Sequence, residues 1–345
     1  GSLVVVNGNP AISYWDGANA QLKYVRALDA TGTNWGTPTT VDGAFFVGLY
    51  ASLAVVNGNP AISYWDGSTN ADLKYVRALD ANGANWGAPV SLDTTINSGI
   101  FSSLAVVNGN PAICYEDGTN AHLKYVRALD GIGTNWGTPM TLDSAGVVGL
   151  YNSLVVVAGN PAISYNDDIN GDLKFVRALD ANGTNWAAVT IPDAGVQSGN
   201  VGQYTSQAIV NGNAAISYFD QTSRHLKYVR ALDAGGTTWS TPVTVVGTGI
   251  VGLYTSVAVV NGNPAISYYD SLNAALKYVR ALDANGLTWG APVTLDSDTS
   301  GNVGSYTSLA VVNGYPAVCY YDLANADLKY VRATDASGTS WSIPD

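Results

Sequence analysis

One unit of about fifty residues recurs seven times along the chain, and this repetition constrains the fold more than any other feature. The phrases Asn-Pro-Ala-Ile-Ser-Tyr and Leu-Lys-Tyr-Val-Arg-Ala-Leu-Asp return with few changes, and a tryptophan follows the second phrase in every copy. Those tryptophans are Trp35, Trp86, Trp136, Trp186, Trp239, Trp289 and Trp341. The copies fill all 345 residues, which predicts a single domain with units at about 1–50, 51–100, 101–150, 151–204, 205–254, 255–306 and 307–345.

Each unit has the pattern of four β-strands separated by turns. In the second unit, residues 52–56 are apolar, and residues 57–59 carry an Asn-Gly hairpin signal. Further strands are predicted over residues 60–66, 73–79 and about 85–92, and no apolar 3.6-residue periodicity indicates a helix. Four strands in each of seven near-identical units predict an all-β fold, a seven-bladed β-propeller with antiparallel blades.

The composition excludes several classes of partner. A formal net charge of −11 argues against nucleic acid and anionic membranes, because both require a basic surface. No apolar run approaches the ~20 residues of a membrane span, and the first residues lack the pattern of a signal peptide. We expect a monomer without membrane insertion. The acidic, lysine-poor composition favours an extracellular or cell-surface location.

Charged residues also follow the repeat. Each copy carries a lysine and an arginine three residues apart, as in Lys23 and Arg26, and two fixed aspartates, as in Asp16 and Asp29. Seven identical arginines could form an anion-binding ring. Because an unpaired buried charge is costly, we expect instead that each arginine is neutralised by a fixed aspartate.

Blade 4 contains an acidic loop that is a weak candidate for an oxygen-ligated cation. It lacks the bidentate acid that such loops place further along the chain, and no other copy repeats it, so we predict no metal and no cofactor. The candidate ligands are Asp167, Asp168, Asn170 and Asp172.

The turn after the third strand, Asp80 to Trp86 in blade 2, resembles the Asp-box of sialidase-type and related bacterial propellers. All seven copies share it, although the spacing from aspartate to glycine is one residue longer and Ala78 replaces the usual serine. This resemblance implies a propeller fold. A sialidase would also need three non-equivalent arginines and a Tyr–Glu pair, whereas Glu116 is the only glutamate. Its neighbour Asp117 faces the other side of the strand, so the two do not flank one bond, and we expect no enzyme.

The copies differ most in the loop after the second strand and in the connector to the next blade. In a propeller both segments lie on the face that usually carries ligands. The connectors place an aromatic residue ahead of the innermost strand, for which packing is the favoured interpretation: Tyr50, Phe101, Tyr151, Tyr204, Tyr254 and Tyr306.

The residue before the second-strand aspartate is aromatic in five of the seven copies. Aromatic faces beside carboxylates are typical of carbohydrate sites, since rings stack on sugar C–H groups and carboxylates accept hydrogen bonds from hydroxyls. Packing and ligand binding both remain open for these pairs. The candidate ligand-binding residues are Trp15, Asp16, Trp65, Asp66, Phe219, Asp220, Tyr269, Asp270, Tyr321 and Asp322.

Two functions follow from these patterns. The first is a non-enzymatic, multivalent module that binds carbohydrate between blades on the loop face, where seven weak sites gain through avidity. The unit is similar in length and symmetry to the blades of bacterial and fungal propeller lectins. The second is a repeat scaffold or protein-interaction propeller, recently amplified or designed, without a small-molecule ligand. The near-identity of the copies favours the scaffold, because a specialised site usually breaks symmetry.

Overall fold

The computed structural model describes residues 1–68, 71–195, 200–297 and 302–345, and all regular secondary structure in these residues is β-strand. Blade 1 contains β1 (Ser2–Val6), β2 (Asn9–Asp16), β3 (Gln21–Arg26) and β4 (Thr39–Asp42). Blade 2 contains β5 (Val47–Val56), β6 (Asn59–Asp66), β7 (Asp72–Arg77) and β8 (Val90–Asp93). Blade 3 contains β9 (Ser98–Val107), β10 (Asn110–Asp117), β11 (His122–Arg127) and β12 (Met140–Asp143). Blade 4 contains β13 (Val148–Val157), β14 (Asn160–Asp167), β15 (Asp172–Arg177) and β16 (Thr190–Asp193).

The remaining blades repeat this order. Blade 5 contains β17 (Val201–Val210), β18 (Asn213–Asp220), β19 (His225–Arg230) and β20 (Val243–Val246). Blade 6 contains β21 (Val251–Val260), β22 (Asn263–Asp270), β23 (Ala275–Arg280) and β24 (Val293–Ser297). Blade 7 contains β25 (Val303–Val312), β26 (Tyr315–Asp322) and β27 (Asp327–Arg332).

Every sheet follows chain order, as successive antiparallel hairpins require. Blade 7 has three strands, and Asp345 takes the place where a fourth would begin, because it exchanges two backbone hydrogen bonds with Tyr330 (2.8 and 2.9 Å). The prediction of an all-β, seven-bladed β-propeller is confirmed. Among the described residues, the structure contains no helix with the length and hydropathy needed to cross a membrane.

The chain divides into two compact units, and the division falls within blade 4. The first unit comprises residues 1–163, 167–169 and 178–187, and therefore holds blades 1 to 3. The second comprises residues 164–166, 170–177 and 188–345, and holds blades 5 to 7. The single domain expected from the repeats stays a prediction.

Apolar side chains of neighbouring blades pack against each other to form the core. Between blades 1 and 2, Leu22 and Tyr24 lie in one buried cluster with Leu53, Ile62 and Tyr64. Equivalent residues form clusters between blades 2 and 3, 5 and 6, and 6 and 7. A blade is therefore stabilised mainly by burial against its neighbours, because a single four-stranded sheet leaves both apolar faces exposed.

The innermost strand is irregular near its start. In blade 2 the register with β6 is regular from Ser52 to Val56 but shifts between Leu49 and Ser52, which is a β-bulge. Gly48 has a φ of +102°, and a Cβ at this position would lie 2.8 Å from Cα of Leu22 in blade 1. The close approach of blade 1 therefore requires glycine here, and the bulge redirects the residues that follow.

Candidate functional site

A polar network joins the second-strand aspartate to the preceding blade. In blade 3, Nζ of Lys124 lies 2.8 Å from Asp117 and 3.0 Å from Asp93, which ends β8 of blade 2. The hydroxyl of Tyr115 donates to the same Asp93 at 2.6 Å. Burial alone raises the pKa of Asp117, but hydrogen bonds from Lys124 and Asn120 outweigh it and hold the pKa below its ordinary value.

The candidate aspartates of the other blades occupy the same position. Their lysine partners are Lys23 for Asp16 (3.7 Å), Lys74 for Asp66, Lys227 for Asp220 (2.9 Å), Lys277 for Asp270 (3.7 Å) and Lys329 for Asp322 (2.8 Å). Asp66, Asp220, Asp270 and Asp322 are buried, whereas Asp16 is half-buried. The repeated aspartate is therefore an anchor of the blade, and of the five only Asp16 keeps appreciable access to solvent.

Among the described residues, six of the seven repeat arginines bind backbone carbonyls instead of the fixed aspartates, contrary to expectation. Nε of Arg26 donates to the carbonyl of Val6 (2.9 Å) and Nη2 donates to that of Asn7 (2.8 Å). Backbone carbonyls of the first hairpin serve in the same way for Arg77, Arg127, Arg230, Arg280 and Arg332. None of these six forms an ion pair in the described part of the chain. The reason is position: one fixed aspartate lies at the far end of the blade, and the other binds its own turn.

The turn after the third strand, which has the pattern Asp-x-x-Gly, connects neighbouring blades through hydrogen bonds and ring packing. In blade 2, Asp80 accepts a hydrogen bond from the backbone N–H of Asn82 (3.0 Å), and Nε1 of Trp86 donates to the carbonyl of Gly83 (2.9 Å). Tyr24 of blade 1 donates to the carbonyl of Asn82 (3.1 Å) and packs edge-on against Trp86. These turn residues are therefore structural, at the end of the blade away from the connectors.

The aromatic residues before the second-strand aspartate differ in accessibility. Trp15 is 37% exposed, and Trp65 and Tyr321 are half-buried. Phe219 and Tyr269 are buried beneath connector tyrosines, with ring centroids 6.5 Å from Tyr204 and Tyr254, respectively. Burial therefore limits the access of a ligand to Phe219 and Tyr269, and their ligand-binding role stays a prediction.

The connector aromatics form two rows of adjacent rings, an arrangement that the repeat pattern did not predict. Tyr50, Phe101 and Tyr151 form the first aromatic row, with successive ring centroids 4.8 and 4.6 Å apart. Tyr204, Tyr254 and Tyr306 form the second aromatic row, at 4.6 and 4.4 Å. Tyr50 is 41% exposed and Tyr306 is 55% exposed, so the rows reach the surface as well as packing on each other.

All six row residues adopt left-handed backbone, with φ between +52° and +55°. A bulky side chain is rare in this region, which costs about 1–3 kcal/mol per residue. In blades 2, 3, 5, 6 and 7 the register of the inner strand shifts at this residue, a β-bulge that accommodates the conformation. The sequence signal that could have revealed the rows is the glycine two residues earlier, as in Gly48 before Tyr50.

The connectors meet the loops after the second strands, so the two variable segments lie together. The backbone N–H of Gly67 donates to the carbonyl of Phe46 (2.9 Å), and Leu323 donates to Asn302 in the same way (3.1 Å). Phe46 brings two candidate residues together, since its ring lies 6.4 Å from that of Trp15 and 5.9 Å from that of Trp65.

Glu116 takes the place of these aromatics in blade 3. The side chain is buried, and burial, followed by the charges of Asp117 and Asp168, raises its pKa to about 7. Asp117 next to it is held ionised by Lys124. Two adjacent carboxyl groups therefore have pKa values driven in opposite directions, a pattern common among acid and base catalysts.

The acidic loop of blade 4 does not assemble into a metal site. Asp167 is buried, and Asp172 accepts a hydrogen bond from the backbone N–H of Gly195 (2.8 Å). Within the described ranges, no three His, Cys, Asp or Glu side chains gather closely enough to hold an ion. Asp167, Asp168 and Asp172 therefore do not form such a group, and the weak metal candidate that also includes Asn170 stays a prediction.

No protein-family model matches the chain, and no curated protein is significantly similar to it. Solved structures share its fold. A polysaccharide lyase of family PL25, an ulvan lyase, is 12% identical with a TM-score of 0.69, over 99% of this chain and 91% of that chain. The NanB sialidase of Streptococcus pneumoniae is 12% identical with a TM-score of 0.52, over 99% and 67%. The lectin of Aleuria aurantia is 13% identical with a TM-score of 0.50, over 85% and 91%.

These similarities define the class as a seven-bladed β-propeller whose structural neighbours are carbohydrate-related proteins. They also correct one expectation. The chain was expected not to be an enzyme, yet the lyase and the sialidase are enzymes with this fold. The count of glutamates and arginines had argued only against a sialidase mechanism. Other enzyme mechanisms need only one carboxyl group that exchanges a proton, and Glu116 is a buried carboxyl group.

Proposed function

We propose that the protein binds carbohydrate at the connector end of its blades, through several aromatic contacts that act together. One observation carries this proposal: six blades hold an aromatic side chain in strained left-handed backbone at the same inner-strand position. If these residues served only to fill space, glycine or asparagine would hold the same backbone at lower energy. The strain is retained where a ring is needed at the surface.

The chemistry of the rows suits a sugar. Tyrosine rings stack on the C–H face of a pyranose, and their hydroxyl groups donate to and accept from its hydroxyls. Burial raises the pKa of Tyr254, so its hydroxyl stays protonated at every physiological pH. Three adjacent rings within each row also permit several sugar units of one chain to bind at once, which multiplies weak contacts.

The candidate residues divide into two roles in this proposal. Trp15 with Asp16, Trp65 and Tyr321 have accessible side chains and contact the ligand, whereas Asp66 and Asp322 are buried and anchor their blades. Phe219 with Asp220 and Tyr269 with Asp270 lie beneath the second aromatic row and support it. Structural neighbours bind related ligands: the PL25 lyase has been solved with -[GlcA(1-4)Rha3S]-, and the Aleuria lectin with α-methyl-L-fucoside.

A glycan array with labelled protein tests the proposal. We expect binding to a coherent set of oligosaccharides, and at least a tenfold loss of apparent affinity in the double variant Tyr50→Asn/Tyr306→Asn. Asparagine tolerates left-handed backbone, so this variant removes rings without strain. The control is Leu282→Asn, which changes an exposed apolar side chain in the turn after β23, at the end of the blade away from the connectors. A blank array at high protein concentration contradicts the proposal and favours the protein-interaction scaffold.

Cleavage of the bound glycan is a second candidate function, favoured by the elevated pKa of Glu116. Array-positive oligosaccharides are incubated with the protein and separated by chromatography. New, shorter products that disappear in Glu116→Gln assign a proton-transfer role to this side chain. Intact oligosaccharides after prolonged incubation contradict cleavage and leave binding unaffected.

A further inference from the structure

We propose that Trp15, Phe45, Phe46 and Trp65, the connector cluster, form one principal subsite for a sugar unit that presents a C-methyl group or a continuous C–H face. The simplest such units are 6-deoxyhexoses. This inference rests on the proposed carbohydrate-binding function and makes it more specific: the sites of the repeats are unequal, and one of them dominates.

Rare residues concentrate at the connector cluster. The chain has nine tryptophans, of which seven belong to the repeated turns; Trp15 and Trp65 are the other two. It has five phenylalanines, and Phe45 and Phe46 stand next to each other in the connector between blades 1 and 2. No other connector has two adjacent aromatic residues. A device needed for packing every blade would appear in every copy, so this departure from symmetry indicates a local function.

The four rings form a continuous surface. Phe46 lies at the centre, at 6.4 Å from Trp15 and 5.9 Å from Trp65, edge-to-face in both cases. Phe45 lies 6.3 Å from Phe46 and is 77% exposed. Tyr50 continues the surface into the first aromatic row, 6.3 Å from Trp65. An exposed aromatic surface of this kind is costly in water unless a ligand covers it.

The backbone holds the central ring in place. The N–H of Phe46 donates to the carbonyl of Ala20 (2.8 Å), and its carbonyl accepts from Gly67 (2.9 Å). Phe46 has a φ of +66°, a value shared by Asn97 at the equivalent place in the next connector. Asparagine is a favoured residue for this conformation, and phenylalanine is a strained one. The preformed position lowers the entropy that a ligand must overcome on binding.

The chemistry of the connector cluster selects the ligand. The side chains of Phe45 and Phe46 have no polar atom, so they cannot replace the water that a sugar hydroxyl gives up. A methyl group or an uninterrupted C–H face has no such demand and gains contact with the electron-rich ring faces. The polar remainder of the sugar then points toward solvent and the tyrosine hydroxyls of the first aromatic row.

The test uses a variant that copies the protein's own sequence. Phe45→Ile/Phe46→Asn installs the Ile-Asn pair found at Ile96 and Asn97, which holds the same backbone. Titrations with methyl α-L-fucoside, methyl α-L-rhamnoside and methyl α-D-glucoside are followed by tryptophan fluorescence and calorimetry. We expect the 6-deoxy sugars to bind the wild type with a stoichiometry near one, and the variant to lose at least tenfold in affinity. Ile96→Ala is the matched control, and thermal unfolding verifies that both variants remain folded.

The outcomes separate this inference from the proposed function. A positive glycan array with unchanged 6-deoxyhexose affinity in the variant contradicts the connector cluster as the subsite and leaves carbohydrate binding in place. Preference for methyl α-D-glucoside over both 6-deoxy sugars contradicts the ligand class. A blank array contradicts both proposals together.

Discussion

The hydroxyl of Tyr115 donates a hydrogen bond of 2.6 Å to Asp93, although the two residues belong to different blades. Lys124 reaches the same carboxylate, 3.0 Å away, and also the carboxylate of Asp117. The contact therefore connects two sheets through buried polar groups, at the end of the blade that carries the candidate site. It gives a structural reason for the lysine and the second-strand aspartate of the repeat, although the fixed aspartates were expected to neutralise arginines.

Replacement of Asp93 tests the strength of this connection. Asp93→Ala leaves the Tyr115 hydroxyl and the Lys124 ammonium short of a buried partner, which we expect to cost about 2–4 kcal/mol of unfolding free energy. Urea denaturation measures the loss. The chain offers the reverse experiment in blade 5, where Val246 occupies the equivalent position. Val246→Asp supplies a partner for Lys277, and we expect it to raise the free energy of unfolding by about 1 kcal/mol. If Val246→Asp lowers the free energy of unfolding as much as Asp93→Ala does, the network is contradicted.

Glu116 predicts an unusual dependence of stability on pH. Its folded pKa, about 7, lies above the ordinary value of 4.5, so the folded state binds the proton more tightly than the unfolded chain does. This contribution to stability is complete below pH 4.5 and is lost as the pH rises to about 7. Glu116→Gln removes the loss, and we expect it to stabilise by about 3 kcal/mol at pH 8 relative to its effect at pH 4. Thermal unfolding across this range measures the difference, and a pH-independent effect argues against a raised pKa.

The aspartates with lowered pKa give the opposite slope at acid pH. Asp283 in the turn of blade 6 has a pKa of about 2, because hydrogen bonds from Thr288 and neighbouring backbone N–H groups outweigh the effect of burial. Its stabilisation is present above the ordinary value of 3.8 and is lost as the pH falls toward 2. We expect cooperative acid unfolding in this range, followed by circular dichroism. Asp283→Asn should make the free energy of unfolding fall less steeply as the pH drops from about 4 to 2. An unchanged pH dependence would contradict a lowered pKa of Asp283.

The left-handed backbone at Tyr306 gives a paired prediction. Tyr306→Gly relieves the conformational strain and loses little burial. We therefore expect the free energy of unfolding to stay unchanged or to rise by up to about 1 kcal/mol. Tyr306→Val keeps a branched side chain in the disfavoured region and is expected to destabilise by more than about 1 kcal/mol. Chemical denaturation of both variants provides the comparison. Strong destabilisation by glycine would show that the ring serves packing, which weakens the proposed ligand role.

A comparison of Gly83 with Gly58 distinguishes two reasons for a glycine, namely lack of space for a Cβ and a positive φ. Both have positive φ, +75° and +81°. A Cβ on Gly83 would lie 2.5 Å from Cε1 of Tyr24, whereas one on Gly58 would meet nothing within 4 Å. We expect Gly58→Ala to cost about 1 kcal/mol and Gly83→Ala considerably more, since it also displaces Tyr24 from the turn of blade 2. Similar losses in urea denaturation would contradict the close packing of Tyr24 on this turn.

The residue types of the candidate site could be predicted from the sequence, but their spatial arrangement could not. The aromatic residue before the second-strand aspartate was recognised in five copies, yet Phe219 and Tyr269 are covered whereas Trp15 is accessible. The arginines were recognised as structural, but their partners are carbonyl groups rather than aspartates. Partner choice depends on which groups the strand ends bring within about 3 Å, and a repeat pattern holds no information about such distances.

The repeat, the Asn-Gly hairpin signals and the alternation of turn and strand residues were enough to predict seven antiparallel blades, because local propensity and near-identical copies require the same local structure each time. The tertiary structure decided which aromatic residues reach the surface. Leu22 of blade 1 lies against Gly48, and the bulge that follows places Tyr50 in a conformation that its five counterparts share and that no local preference selects. Packing between blades, which acts over fifty residues of sequence, overrides propensity at this one position and places the candidate site there.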